Sequence, residues 1–112
     1  MHIQTQSKTR PQAQSHALLL DRAAHLLDDA RDPSALSWAV QNNLSVWLSL
    51  KRAAEQAALA NHDTQRVLDL ADHVIKTTLA SGRIAPHDAQ IEAFITMNRS
   101  LAQSLSGTQT RH

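Results

Sequence analysis

The sequence predicts an all-α protein, a compact bundle of about four helices, on the basis of three observations. Apolar residues recur at spacings of three and four along most of the chain, which is the pattern of one buried helix face. The chain has only 2 Gly and 3 Pro, so turn signals are few, and strand-like alternation of β-branched residues is absent. Its 112 residues suffice for a single core and therefore for one domain.

The two ends of the chain are predicted to be tails outside this domain. Residues 1–13 are rich in Gln and Thr and contain almost nothing to bury, so we expect a flexible polar tail. Residues 108–112, "TQTRH", are predicted to form a second flexible tail. The helical domain is therefore expected to span residues 14–107.

The first helix is predicted from about Gln14 to Arg31. Its apolar residues fall on one face, as in an amphipathic helix. This predicted face comprises Leu19, Ala23, Leu26, Leu27 and Ala30.

The second helix is predicted to begin at "DPSA" and to run to about Ala60. Asp32 is a favourable N-cap, and Pro33 at the first helical position lacks only an amide that would have no partner there. No residue from Pro33 to Leu50 is charged, whereas "KRAAEQAALA" follows with charges. We therefore expect the first half of this helix to be enclosed by other helices and the second half to lie nearer solvent.

The third helix, "TQRVLDLADHVIKTTLASG", has a wide apolar face, with Asp63 or Thr64 as its cap and Gly82 ending it in a left-handed turn. The fourth helix opens at "IAPHDAQ", where Pro86 lies near the first turn, and ends near Ser106-Gly107. The links between the four segments are short. We therefore expect mostly antiparallel neighbours.

The composition argues against several functions. Without cysteine there is no disulfide, thiolate zinc site or cysteine nucleophile. The 11 basic and 10 acidic residues are interspersed, which argues against a nucleic-acid footprint. The first 15 residues lack the apolar core of a secretory signal, and the uncharged part of the second helix is too polar to span a bilayer. A cytoplasmic location is expected.

No set of residues with catalytic or metal-binding spacing stands out, although the chain has seven histidines. A phosphate-binding glycine loop, a G-x-S-x-G turn and an H-E-x-x-H pair are all missing from the sequence. Asp69 and His73, like His25 and Asp28, are spaced for ion pairs on a helix surface, without further ligands. The sequence therefore predicts no enzyme, no metal and no cofactor.

Two asparagines lie on apolar helix faces, and two interpretations of them remain open. Asn43 shares a face with Trp47 in the second helix, and Asn98 lies on the apolar face of the fourth. Buried amides without partners cost roughly 1–3 kcal/mol each. The asparagines could therefore bond to each other or to a neighbouring helix backbone and fix the register, or they could line a groove that a partner fills.

Three segments resemble, in order, the flagellar biosynthesis regulator FlaF family. They are "ALSWAVQNNLSVWLSL", "VLDLADHVIKTTL" and "IEAFITMNRSLAQSLSG", and the resemblance covers about residues 17–107. Asn43 and Trp47 fall on the family's Asn and Trp spacing in the long helix. Asn98 and Arg99, followed by an Ala/Leu-rich turn and Gly107, match its C-terminal hydrophobic-Asn-Arg element.

The resemblance implies a cytoplasmic helical protein that binds flagellin as a secretion chaperone or adaptor. Together with the companion regulator FlbT, it would link flagellin synthesis to flagellum assembly. A helix of flagellin would dock in a groove beside Asn43, Trp47, Asn98 and Arg99, which are the predicted partner-binding residues. The alternative function is post-transcriptional regulation of flagellin through RNA or a partner regulator. A homodimer that buries its own groove is a third possibility.

Overall fold

The protein is described by a computed structural model over residues 9–57, 62–81 and 86–107. These ranges hold four helices, and no strand occurs in them. The prediction of an all-α helical bundle of about four helices is therefore confirmed. The helices are α1 (Thr9–Asp29), α2 (Pro33–Ala57), α3 (His62–Ser81) and α4 (Asp88–Gly107).

Helix α1 begins earlier than predicted, at Thr9 rather than near Gln14. The difference follows from the position of Pro11. This proline falls in the first turn of α1, where a missing backbone N–H removes no intrahelical hydrogen bond. The predicted tail of residues 1–13 thus overlaps the start of the helix, and residues 1–8 lie outside the described residues.

The predicted start of α2 is confirmed in detail. The Asp32 Oδ1 atom accepts a hydrogen bond from the backbone N–H of Ala35 at 2.8 Å, as an N-cap does. The backbone N–H of Leu36 donates to the carbonyl oxygen of Asp32 at 3.0 Å, and α2 begins at Pro33. Its predicted end near Ala60 lies outside the described residues.

Helix α3 begins at His62, so the predicted caps Asp63 and Thr64 fall inside the helix. Such a difference of one or two residues is common, because few hydrogen bonds hold the terminal turns. Helix α3 ends at Ser81. The predicted left-handed turn at Gly82 lies outside the described residues.

Helix α4 has an N-terminal cap that was not predicted. The backbone N–H of His87 donates to Gln90 Oε1 at 2.8 Å, and the His87 carbonyl accepts from the N–H of Ile91 at 2.9 Å. This is half of a capping box, with His87 as the N-cap residue. The helix ends at Gly107, as predicted, and the predicted tail of residues 108–112 lies outside the described residues.

All four helices contribute to one core, which is aliphatic except for Trp47 and Phe94. On α1 the buried row runs through Leu20, whereas the predicted Leu19 is 40% exposed. Ala23 and Leu27 of the predicted face are buried, so the observed face overlaps the predicted one and is rotated toward Leu20. The buried apolar residues of α1 are Ala17, Leu20, Ala23, Ala24 and Leu27.

Helix α1 contacts α4 and α2, and α2 contacts α3. Toward its C-terminal end, α2 is joined to α3 by the ion pair of Lys51 Nζ with Asp72 Oδ1, 3.2 Å apart. Nearer the start of α2, Val40 lines the same hollow as Thr78, which follows Asp72 in α3. The later part of one helix thus faces the earlier part of the other. Helices α2 and α3 are therefore antiparallel, as predicted for neighbours joined by a short link.

Replacing the cap residue, Asp32→Ala, should lower the free energy of unfolding by roughly 0.5–2 kcal/mol, because the Ala35 N–H loses its partner. Urea denaturation followed by circular dichroism measures the change. Asp29→Ala is the matched control, since Asp29 is an exposed carboxylate across the same turn. Equal losses in the two variants would contradict the capping role.

Candidate binding site

A buried polar network joins α1, α2 and α4 at the centre of the bundle. Trp47 Nε1 donates a hydrogen bond to Asn98 Oδ1 at 2.9 Å. Asn98 Nδ2 donates to Asn43 Oδ1 at 2.8 Å and to the carbonyl oxygen of Leu20 at 3.2 Å. Both ends of the Asn98 amide are therefore paired, and its three partners lie on two other helices.

The network confirms the structural interpretation of the two asparagines. Asn43, Trp47 and Asn98 are all fully buried, and the asparagines bond to each other and to a neighbouring helix backbone. One donor in the network, Asn43 Nδ2, has no hydrogen-bond partner among the described residues. Unpaired buried donors cost roughly 1–3 kcal/mol. The amide of Asn98 is paired at both ends, whereas that of Asn43 is paired only at its oxygen.

The structure does not bring the four predicted binding residues together on a surface. Asn43, Trp47 and Asn98 are enclosed, so a partner could reach them only if the helices separated. Arg99 lies on the outside, where its Nη2 atom is 3.5 Å from Asp28 Oδ2. The groove predicted beside these residues is closed by α1 and α4. Sequence periodicity placed the asparagines on inner faces but did not show that another helix covers them.

The prediction that the first half of α2 is enclosed is correct only for one side of the helix. Leu36, Val40 and Asn43 face inward, but Trp38 is 60% exposed and Leu48 is 45% exposed. Burial therefore does not explain why this outer side has no charged residue. The outer side of the first half of α2 presents an uncharged surface to solvent.

An open groove lies between the first half of α2 and the end of α3, and we call it the α2–α3 groove. Its volume is about 530 Å³, within the usual range for binding pockets. At its edge lies Leu79, which is 65% exposed. Thr78 also lines the groove, but its Oγ1 atom is buried and has no hydrogen-bond partner among the described residues. The large apolar lining residues are Leu36, Val40, Leu44, Leu79 and Pro86.

The charged groups at the groove are engaged within the chain. Arg31 Nη1 donates to the carbonyl oxygen of Asp28 at 3.0 Å, and Asp32 caps α2. The other polar side chains of the lining, such as Ser37 and Gln41, are uncharged. The groove therefore suits an apolar or weakly polar ligand better than an ion.

The sequence contains a signal for this groove in the wide apolar faces of its helices, although these faces alone do not predict an open groove. Leu44 and Leu79 lie beside the central buried rows of α2 and α3 rather than within them. Apolar residues that widen a helix face beyond its core row indicate a further contact. Which two helices would leave a gap between them depends on the tertiary arrangement.

The described residues show no metal centre and no membrane-spanning helix. No group of three or more His, Asp or Glu residues is gathered among them. Asp69, which we paired with His73, instead accepts a hydrogen bond from Gln65 Nε2 at 3.0 Å, and Asp28 pairs with Arg99 rather than with His25. None of their helices is long and apolar enough to cross a bilayer.

Comparisons with known proteins return no match: no protein-family model, no curated protein and no solved structure corresponds to this chain. The class that the fold defines is a small all-helical bundle with an internal polar network and an external groove. The resemblance to FlaF rests on the quoted sequence motifs.

Replacing Asn98 by Leu should destabilise the protein much more than replacing Asn43 by Leu. Asn98→Leu removes the partners of Trp47 Nε1 and Asn43 Oδ1, so we expect a loss of roughly 2–5 kcal/mol. Asn43→Leu also removes the unpaired Nδ2 donor and leaves Asn98 its bond to Leu20, so a change within about 1 kcal/mol is expected. Urea denaturation measures both values. Equal losses, or the reverse order, would show that the amide of Asn98 is not the centre of the network.

Proposed function

We propose that this chain is a FlaF-type flagellar regulator, a cytoplasmic chaperone or adaptor that binds a helix of flagellin in the α2–α3 groove. The observation that carries the proposal is this largely apolar groove of about 530 Å³ on a small helical protein. The sequence resemblance supplies the identity of the partner. With FlbT as a second partner, such binding would couple flagellin synthesis to flagellum assembly.

The shape of the groove supports a helix as the ligand. Leu36, Val40 and Leu44 follow one another at intervals of four residues and form one wall, and Leu79 lies on the opposite helix. An amphipathic helix presents anchors at i, i+3, i+4 and i+7, which fit between two such walls. The exposed part of Leu79 would be buried in the complex, which gives the partner a favourable hydrophobic contact.

RNA binding, the alternative function, has less support from the described residues. The 11 basic and 10 acidic residues are interspersed along the chain, and of the adjacent pair Lys51 is bound to Asp72 while Arg52 is exposed. RNA binding relies on cations that are free to contact phosphates, and it weakens steeply as the salt concentration rises. Apolar helix capture changes little with salt, so a titration at two salt concentrations separates the two functions.

The Leu79→Ser variant should bind purified flagellin roughly tenfold to a hundredfold more weakly than the wild type, because burying a leucine contributes about 1.5–3 kcal/mol. Isothermal titration calorimetry at low and high salt measures the affinity. Leu18→Ser is the matched control, since Leu18 is 70% exposed on α1, away from the groove.

Three results would count against this proposal. Equal affinities of the Leu79 and Leu18 variants would move the site out of the α2–α3 groove. No heat with flagellin at either salt concentration and at two temperatures, in protein shown by circular dichroism to be folded, would reject flagellin as the partner, because apolar binding changes its enthalpy with temperature. Salt-sensitive binding of RNA under the same conditions would favour the alternative function.

Replacing the buried hydroxyl, Thr78→Val, should leave the protein as stable as the wild type or slightly more so, because an unpaired hydroxyl is removed at nearly constant shape. Flagellin affinity should stay unchanged, because the Oγ1 atom is buried and cannot be reached from the groove. Urea denaturation and calorimetry provide the two values, and a clear loss of stability would show that the hydroxyl contributes to the fold.

A further inference from the structure

The outer side of α2 presents a row of exposed residues with a regular spacing. The residues of this row alternate between four and three positions apart, which is the spacing of a seam between two helices. With 3.6 residues per turn, the row lies on the side of α2 opposite to the buried Asn43. We call it the outer row of α2, and it comprises Ser34, Trp38, Gln41, Ser45, Leu48 and Arg52.

We propose that two copies of this chain pair through the outer row of α2, with the two α2 helices antiparallel about a two-fold axis. The spacing of the row is the same when read in either direction, so it matches its own reversed copy. In this register Trp38 of one copy lies opposite Leu48 of the second copy, and Gln41 lies opposite Ser45. Every contact then occurs twice, as a two-fold symmetric interface requires.

The side chains suit this register. The two large apolar residues, Trp38 and Leu48, are 60% and 45% exposed and lie toward opposite ends of the row. Trp38 of each copy would cover Leu48 of the second copy, so two apolar contacts form. The small Ser45 and the amide of Gln41 meet near the axis, where a small side chain lets the helices approach and the amide can hydrogen-bond to the hydroxyl.

The charges also favour a second copy as the occupant. Between Pro33 and Leu50 the helix has no charged residue, so two such helices bring no like charges together. Just outside the uncharged part lie Arg31 and Asp32 at one end and Lys51 and Arg52 at the other. Arg31 bonds to the Asp28 carbonyl and Lys51 pairs with Asp72 within the chain, so Asp32 and Arg52 are the charges considered for the second copy. Antiparallel pairing places Asp32 of each copy near Arg52 of the second copy. Parallel pairing would instead place like charges side by side at both ends.

Sedimentation equilibrium of the full chain over a range of concentrations tests the pairing. The wild type should shift from the mass of one chain to that of two, and Trp38→Glu should raise the dimer dissociation constant by at least about tenfold. Leu18→Glu is the matched control, because Leu18 is 70% exposed on α1 and takes no part in the row. It should dimerise like the wild type. Circular dichroism of each variant checks that the fold is intact.

The cysteine-free sequence allows a direct test of the register. The single-cysteine variants Gln41→Cys and Ser45→Cys are mixed in equal amounts and oxidised, and intact masses identify the products. Antiparallel pairing predicts mainly the mixed disulfide, whereas parallel pairing predicts disulfides between like chains. Ser100→Cys, at an exposed serine of α4, is the control for random cross-linking.

The proposal is overturned if the wild type keeps the mass of one chain at the highest soluble concentration. It is equally overturned if Trp38→Glu and Leu18→Glu dimerise alike, because the dimer would then use another surface. The antiparallel register would be rejected if most disulfides joined two chains of the same variant. It would also be rejected if the disulfide between the Gln41→Cys and Ser45→Cys chains were no more abundant than the disulfide that the Ser100→Cys control forms. These outcomes do not depend on whether the chain binds flagellin.

Discussion

The fold depends on one amide buried at the junction of three helices. Asn98 offers two donor hydrogens and an acceptor oxygen, and in a dry core all of them require partners. Trp47, Asn43 and the Leu20 carbonyl provide these partners at 2.8–3.2 Å. Sliding α4 by one turn against α1 would break the bond to Leu20, and sliding it against α2 would break the bonds to Trp47 and Asn43. The network therefore selects one register among many that aliphatic contacts alone would allow. The unpaired Asn43 Nδ2 shows that this selection has a cost.

Helix α3 is held in another way, and this difference creates the groove. No residue of α3 takes part in the network; α3 lies against α2 through Ala71 and Val74 and through the surface ion pair of Lys51 with Asp72. Exposed ion pairs contribute little, so apolar contacts provide most of the attachment. These contacts bury Ala71 and Val74, whereas Thr78 and Leu79, further along α3, line the α2–α3 groove. The helix that lacks a polar anchor is thus the one beside the open site.

The sequence allowed the fold to be predicted better than the site. The four helices and the Asp32 cap follow from periodicity and local capping chemistry, which act within a few residues. The inner position of Asn43 and Asn98 also followed from periodicity, but the hydrogen bond between them joins residues 55 positions apart in the chain. No local pattern encodes such a contact. For the same reason the candidate site was placed beside buried residues, and the groove between α2 and α3, which depends on how helices leave gaps, was missed.

The uncharged outer side of the first half of α2 needs a physical reason, because charged side chains on an exposed helix face are favourable and easily accommodated. The other helices carry charges on their outer faces, as Asp28, Asp69 and Arg99 show. On α2 the first charge after Asp32 is Lys51, although Trp38, Gln41 and Ser45 are exposed between them. A charged side chain in this stretch would have to be desolvated in any complex formed there, whereas desolvating Ser or Gln costs much less free energy. The α2–α3 groove and the outer row of α2 share Gln41 and otherwise lie on adjacent sides of the helix. Because Gln41 belongs to both surfaces, a second copy on the outer row would lie beside the groove, and the same uncharged stretch of α2 would serve both contacts.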